Sequence, residues 1–325
     1  MTMTALVRST ALAAVMLAAG PPGSITLLAR TSPSAAATTV MEMDLTLPDH
    51  TVYRPAELPP GVKIPILAWG NGGCANIGNS SEPFLREIAS HGYLAVASGP
   101  IAQRPPREEA AGRDAPRPVR DANAPRATRA PNSPRPAQSN NASLTAAIDW
   151  AIAENSRPGS KYEGRLDTTK IAVLGRSCGG LQAIAIGADP RVKTVIVINS
   201  GIIRGGVPQP DGSLEQRQYI PAGVEDLAKL HTPIAYFVGG HTDQAFRGSE
   251  ADFLIIDKLP LFNGNMDVGH GGTFRQPDGG PMGKAVIDWI DWQLKGDKEA
   301  AKSFVGADCR LCRDPKWTVK KKNLR

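Results

Sequence analysis

Short, continuously apolar runs punctuate the chain at about 63–69, 93–98, 171–174, 194–199, 233–238 and 259–263. Runs of this length with no polar alternation predict strands covered on both faces. Helix-compatible stretches separate them, so the pattern predicts an α/β domain: a mostly parallel central sheet with helices on both faces. Upstream, Met41-Glu42-Met43-Asp44-Leu45 alternates, and Thr51-Val52-Tyr53-Arg54 precedes Pro55. These predict one or two short edge strands. Near the other end, Ala285, Val286, Trp289, Ile290 and Trp292 fall close to helical spacing and Gly296 follows, which predicts a helix over about 284–295 with its tryptophans in the core.

Two stretches break the pattern. From about 104 to 138 the chain is rich in Pro, Arg, Ala and Asp and carries almost no large apolar residue, so it contributes little to a core. It follows the strand ending at Ser98 and precedes a helix starting near Ala142, on the side of the sheet where strand C-terminal ends carry functional loops. A solvated insertion is expected, with a lid or surface-binding arm as the alternative. At the N-terminus, Arg8 precedes the apolar run Ala11 to Ala19, which is too short to span a bilayer but suits a signal peptide. Residues 1–37 are therefore expected to be a signal peptide and loose pro-segment, and the protein secreted or periplasmic. A cytoplasmic leader is the alternative. Residues 38–325 then form one domain with a basic, cysteine-containing tail at about 305–325.

The 325 residues are 41% hydrophobic and 21% charged, ordinary for a globular protein able to bury a full core. The net charge of +6 includes Lys320-Lys321-Lys322 and the arginines of the insertion, an excess that favours anionic surfaces. No nucleic-acid motif, phosphate loop, metal-ligand cluster, internal repeat or membrane-spanning run accompanies it. No nucleic-acid partner, stable membrane insertion, metal or cofactor is expected.

Candidate chemistry centres on Gly175-Arg176-Ser177-Cys178-Gly179, which directly follows the apolar run Ile171-Ala172-Val173-Leu174. A G-x-S-x-G sequence at a strand-to-helix turn holds its serine in a strained conformation above the sheet, with glycines where side chains would collide with neighbouring backbone. Because a serine hydroxyl is a poor nucleophile at neutral pH, a histidine must take its proton and a carboxylate must orient that histidine. Asp243 follows the strand 233–238, and His270 lies in the glycine-rich stretch Val268-Gly269-His270-Gly271-Gly272. These are the candidate acid and base, in the chain order Ser, Asp, His. His241 is the rival base and Asp267 the rival acid. His50, His91 and His231 read as structural or solvent-facing. An oxyanion hole needs two converging N–H groups. One is expected from Cys178, after the serine, and the other from Cys74 or Gly73 in the loop Gly70-Asn71-Gly72-Gly73-Cys74.

Together these residues resemble the α/β-hydrolase superfamily, in particular the branch holding dienelactone hydrolases, chlorophyllases and bacterial polyester hydrolases or cutinases. The stretch from Phe84 to Val96 with its Ala-Ser-His-Gly turn, the stretch from Leu166 to Gly180 with the elbow, and the Asp243 and His270 loops carry the likeness, over roughly residues 40–296. The resemblance implies an α/β-hydrolase fold and favours Cys74 over Gly73 as the second oxyanion donor. Ser177 stands where dienelactone hydrolases have cysteine, so their lactone chemistry does not carry over. Cys178 replaces the bulky or apolar residue common in polyester hydrolases.

Four cysteines in an exported chain suggest disulfides. Cys309 and Cys312 are expected to bridge and pin the tail, and Cys74 and Cys178 to pair, since two oxyanion donors must lie close together. Two unpaired buried cysteines are the alternative. The sequence thus predicts an exported serine hydrolase acting on a small-molecule or polymeric carboxylic ester. An amidase or peptidase on the same scaffold, or a binding protein that keeps the fold, are the other readings. Trp69 and Phe274 flank the site in sequence and serve equally as core or as substrate contacts.

Overall fold

The computed structural model describes residues 38–102, 138–204, 207–208, 214–215 and 221–325. The expected signal peptide and pro-segment, and all of the Pro/Arg-rich insertion except Gln138, lie outside them. The described chain runs β1 (Thr39–Asp44), β2 (Leu47–Pro55), β3 (Ile64–Gly70), α1 (Glu82–Ser90), β4 (Leu94–Ser98), α2 (Asn141–Ser156), β5 (Leu166–Arg176), α3 (Cys178–Ile186) and β6 (Val192–Ile198). It continues through the short strands β7 (Val207–Pro208) and β8 (Leu214–Glu215), then α4 (Val224–Leu227), β9 (Ile234–Val238), α5 (Phe246–Ile255) and β10 (Leu261–Asn265). Three helices, α6 (Gly280–Ile290), α7 (Lys298–Ala301) and α8 (Arg310–Arg313), lead to β11 (Thr318–Lys322).

Nine strands form one sheet in the order β1-β2-β4-β3-β5-β6-β9-β10-β11. The six from β4 to β10 run parallel, while β2 and β11 pair antiparallel at either side. The chain is therefore α/β with a mostly parallel sheet. Alternation along the strands divides the core between the two faces: Ile66 and Ala68 of β3 and Val195 and Val197 of β6 point to one, Leu67, Trp69, Ile196 and Ile198 to the other. Helices α2 and α3 cover the first face through Leu144, Ile148, Leu181 and Ile184, and α1 and α6 cover the second through Phe84, Ile88, Val286 and Trp289. Trp69 and Phe274 belong to this second core, edge-on to Phe84 at 5.7 and 4.9 Å, rather than to an open cleft.

The predicted C-terminal helix starts earlier, at Gly280, and its last turn, Asp291–Lys295, widens to a π-helix before Gly296 ends it at φ +71°. The basic tail is structured. The Cys309–Cys312 bridge closes across α8, and Thr318–Lys322 is the antiparallel edge strand β11 along β10. Lys320 pairs with Glu250 and Lys322 with Asp257, so much of this charge is neutralised locally. No helix among the described residues is long and apolar enough to cross a membrane.

Strand order fixes where a ligand would sit. From β3 the chain crosses to β4 on one side, whereas β5 and every later parallel strand lie on the other. In such sheets the crevice at the C-terminal ends of the two diverging strands is the open position. Here it lies between the ends of β3 and β5.

Candidate active site

Both walls of that crevice come from glycine-rich turns. After β5 the chain reverses at Ser177, whose φ of +54° and ψ of −121° are unusual for a residue with a side chain, and enters α3 at Cys178. The turn packs so closely on the neighbouring strand that a Cβ on Gly179 would lie 2.0 Å from the Gly70 carbonyl oxygen, and one on Gly175 would lie 2.4 Å from the Gly179 oxygen. The Ser177 N–H donates to the Ile198 carbonyl of β6 at 2.8 Å, which anchors the bend.

Asp243 is buried in the turn after β9, and His270 lies half-buried after β10. His270 Nδ1 is 2.6 Å from Asp243 Oδ1, and His270 Nε2 is 2.9 Å from Ser177 Oγ. Ser177, His270 and Asp243, some 90 residues apart at the extremes, thus form one hydrogen-bonded line. The other Asp243 oxygen accepts from Asn199 Nδ2 at 2.7 Å and from the Gly239 N–H at 2.9 Å, and the Ala245 N–H donates to Oδ1 at 2.9 Å. Burial alone would raise this carboxyl's pKa. The bonds from His270, Ala245, Asn199 and Gly239 outweigh it and hold Asp243 below the ordinary aspartate range.

The rival residues are placed elsewhere. His241 is exposed and packs against Phe246, the ring centroids 4.1 Å apart and the planes tilted by 47°. Asp267 is exposed and accepts from Thr242 Oγ1 at 3.1 Å. His50 is buried with Nε2 2.8 Å from the Ser143 carbonyl, His91 pairs with Glu87 and Asp291, and His231 is exposed.

The opposite wall is the turn Gly72–Cys74 after β3. A disulfide joins Cys74 to Cys178, their Cα atoms 5.1 Å apart, and ties this turn to the residue after Ser177. Cys74 itself sits at φ +49° and its N–H donates to the Asn71 carbonyl at 3.1 Å. The Gly73 N–H, by contrast, has no acceptor among the described residues, and neither has the Cys178 N–H. Asn71 supports the turn from below: its side chain receives Trp69 Nε1–H at 2.8 Å and Ser80 Oγ–H at 2.7 Å and donates to the Ser98 carbonyl at 2.6 Å.

Several contributors carry no motif that would reveal them in sequence. Asn199 stands after β6 at φ +43°, in the Asn-Ser-Gly turn that is the one visible signal of its position. Gln244 places Nε2 3.1 Å from His270 Nε2. Arg176, the residue before Ser177, reaches across the crevice to the His270 and Gly271 carbonyls, each at 3.3 Å. Burial, and then the nearby Arg275, push its pKa below the ordinary arginine value. Among the described residues no group of three or more His, Cys, Asp or Glu is arranged to hold a metal ion.

No protein-family model matches the chain, and no curated protein matches it.

Proposed function

We propose that the chain is an exported serine hydrolase of the α/β-hydrolase fold that cleaves a carboxylic ester through an acyl-enzyme intermediate. The observation that carries this is the line Ser177 Oγ, His270, Asp243, at 2.9 and 2.6 Å, with the serine on a positive-φ turn at the open end of the sheet. His270 Nε2 takes the Ser177 proton as Oγ attacks the ester carbonyl. Asp243, ionised and holding Nδ1–H, fixes the tautomer and stabilises the imidazolium. The tetrahedral oxygen is met by the Cys178 N–H and a loop amide. Gly73 is the better candidate of the two weighed from sequence, because the Cys74 N–H is already engaged. Collapse expels the alcohol, which leaves with the proton from His270. Water, activated by the same histidine, then releases the acid and restores Ser177. Two disulfides accord with an oxidising compartment and thus with export.

The test is hydrolysis of a chain-length series of p-nitrophenyl esters by the purified protein beside Ser177→Ala. Turnover that disappears in the variant supports the mechanism, and its length profile begins to define the acyl site. No turnover together with no labelling of Ser177 by a fluorophosphonate would turn the proposal toward a binding protein.

A further inference from the structure

Resting on that hydrolase reading, the geometry points to Arg176 as a positioning residue, a strut that sets the His270 loop against the oxyanion turn. It departs from β5 immediately before Ser177, so its backbone is fixed by the sheet, in register with Ile198 of β6. Its guanidinium then lies between the Gly72 turn and the His270 loop. On one side it packs against Gly72: a Cβ there would meet Nη2 at 2.9 Å, Nε at 3.4 Å and Cζ at 3.5 Å. A side chain at position 72 would displace it. On the other side Nη1 donates to the carbonyls of His270 and Gly271 at 3.3 Å each.

The choice of partners sets Arg176 apart from Arg54 and Arg191, half-buried arginines that pair with Glu42 and Asp189. Like Arg165, which donates to the Leu58 carbonyl, it turns to the main chain instead. Arg176 makes no direct ion pair among the described residues; the Asp243 carboxylate attracts it without touching it, and burial outweighs that attraction. It spends its donors instead on two main-chain carbonyls of the loop that carries the proposed base. Before His270 the loop is held by the Val268 and Gly269 N–H groups, which donate to the Gly239 carbonyl at 3.1 and 2.8 Å, and by Asn199 Nδ2, which donates to the Gly269 carbonyl at 3.4 Å. The His270 and Gly271 carbonyls are reached by Arg176, and Gly271 is exposed, with nothing within 4 Å of where a Cβ would lie. Both carbonyls are held by the single nitrogen Nη1, and the rest of the guanidinium packs against Gly72; an ammonium group could donate to two carbonyls but has no planar face to lay on that turn.

A strut of this kind acts on the rate and not on substrate capture. Arg176→Met should lower kcat about 100-fold, the scale of a misplaced catalytic group, with KM changed less than threefold. Arg176→Lys should recover only a small part. Millimolar guanidinium ion should restore kcat in Arg176→Gly at least fivefold, where sodium ion at equal ionic strength does not. Two readouts are independent of ester turnover: the rate at which a fluorophosphonate labels Ser177, and the downfield proton resonance of His270 Nδ1–H in its 2.6 Å bond to Asp243. In Arg176→Met the labelling should slow by a similar factor and the resonance broaden or shift. Unchanged labelling and an unchanged resonance would overturn the strut while leaving the hydrolase intact. A raised KM with kcat retained would overturn it too, and assign Arg176 to substrate contact. Failure of the wild-type protein to cleave esters or to be labelled would instead overturn the hydrolase reading, and the resonance alone would then decide whether Arg176 holds the loop.

Discussion

Cys74 and Cys178 are bonded across 104 residues of sequence, joining the turn after β3 to the first residue of α3. Each neighbours a strained position, Cys74 being itself at φ +49° and Cys178 following Ser177 at φ +54°. Non-glycine residues persist there only when the surroundings over-determine them, and the bridge is one such constraint. On the proposed mechanism it also fixes the distance between the two oxyanion donors.

Loss of this bridge should therefore cost both stability and rate. Closing a loop of that length is worth about 4–5 kcal/mol in the chain-entropy model, and removal of such bridges costs about 2–5 kcal/mol. Cys74→Ser with Cys178→Ser should lower the melting temperature by roughly 5–15 °C and reduce kcat more than KM. Cys309→Ser with Cys312→Ser opens a bridge between residues only 3 apart and should shift melting much less. Thermal melts and steady-state kinetics of the two double variants check this, and equal effects from both would remove the special role of the first bridge.

The elbow predicts a second asymmetry. A methyl on Gly179 would strike the backbone of Gly70 at 2.0 and 2.1 Å and the Asn71 nitrogen at 2.7 Å, and none of these atoms belongs to a side chain that can swing away. Gly179→Ala should destabilise by about 3 kcal/mol or more, in the range of severe backbone conflicts. Gly271→Ala, with no atom within 4 Å of the added carbon, should stay within about 0.5 kcal/mol. Denaturant melts of the pair decide it.

How much of this was legible in the sequence depends on what each residue displays. Strands such as β3, β6 and β9 are apolar on both faces because helices cover both, and that pattern survives in a single sequence. The edge strand β11 was hidden: Thr318-Val319-Lys320-Lys321-Lys322 reads as a solvated tail, since edge strands carry lysines that discourage further pairing. After the buried Leu166, the next residues of β5, Asp167 to Lys170, were hidden by their polarity for a similar reason, being only partly covered. At the crevice, Ser177, Asp243 and His270 stand at strand ends beside glycines, and their proximity was foreseeable from chain order. Asn199, Gln244 and Arg176 meet them only through the fold, and their contacts to Asp243, to His270 and to the His270 loop leave no spacing rule to find.

Asp243 gives a pH dependence of definite sign. Folding lowers its pKa below the unfolded value of about 3.9, so folding favours the ionised form. The stabilisation is complete above that unfolded value and is lost as pH falls through the lower, folded one. Asp243→Asn removes the titration, so its unfolding free energy should vary less than the wild type's as pH is lowered from 5 towards 2. At neutral pH the same variant should lose about 10³–10⁴-fold in kcat, because an amide cannot hold the required imidazole tautomer. Chemical denaturation across pH and ester turnover test the two halves separately. A wild type whose stability is as flat as the variant's through the acid range would show that Asp243 titrates alike in both states.

Gln244 and Ser177 meet at one atom. With Nδ1–H bonded to Asp243, His270 Nε2 offers a single lone pair, and both Ser177 Oγ at 2.9 Å and Gln244 Nε2 at 3.1 Å are within reach of it. Every moment that the amide occupies the lone pair is one in which the serine proton has no acceptor. Gln244 is exposed, so its removal leaves no buried polar atom behind. A neutral hydrogen bond is worth about 0.5–1 kcal/mol net, and a competitor of that strength holds the base back by roughly twofold to fivefold. Gln244→Ala should therefore speed fluorophosphonate labelling of Ser177 by that factor, with melting shifted by less than about 0.5 kcal/mol as for other exposed substitutions. Slower labelling in Gln244→Ala would reverse the assignment: the amide would then be presenting its oxygen to the protonated ring and supporting the imidazolium during attack.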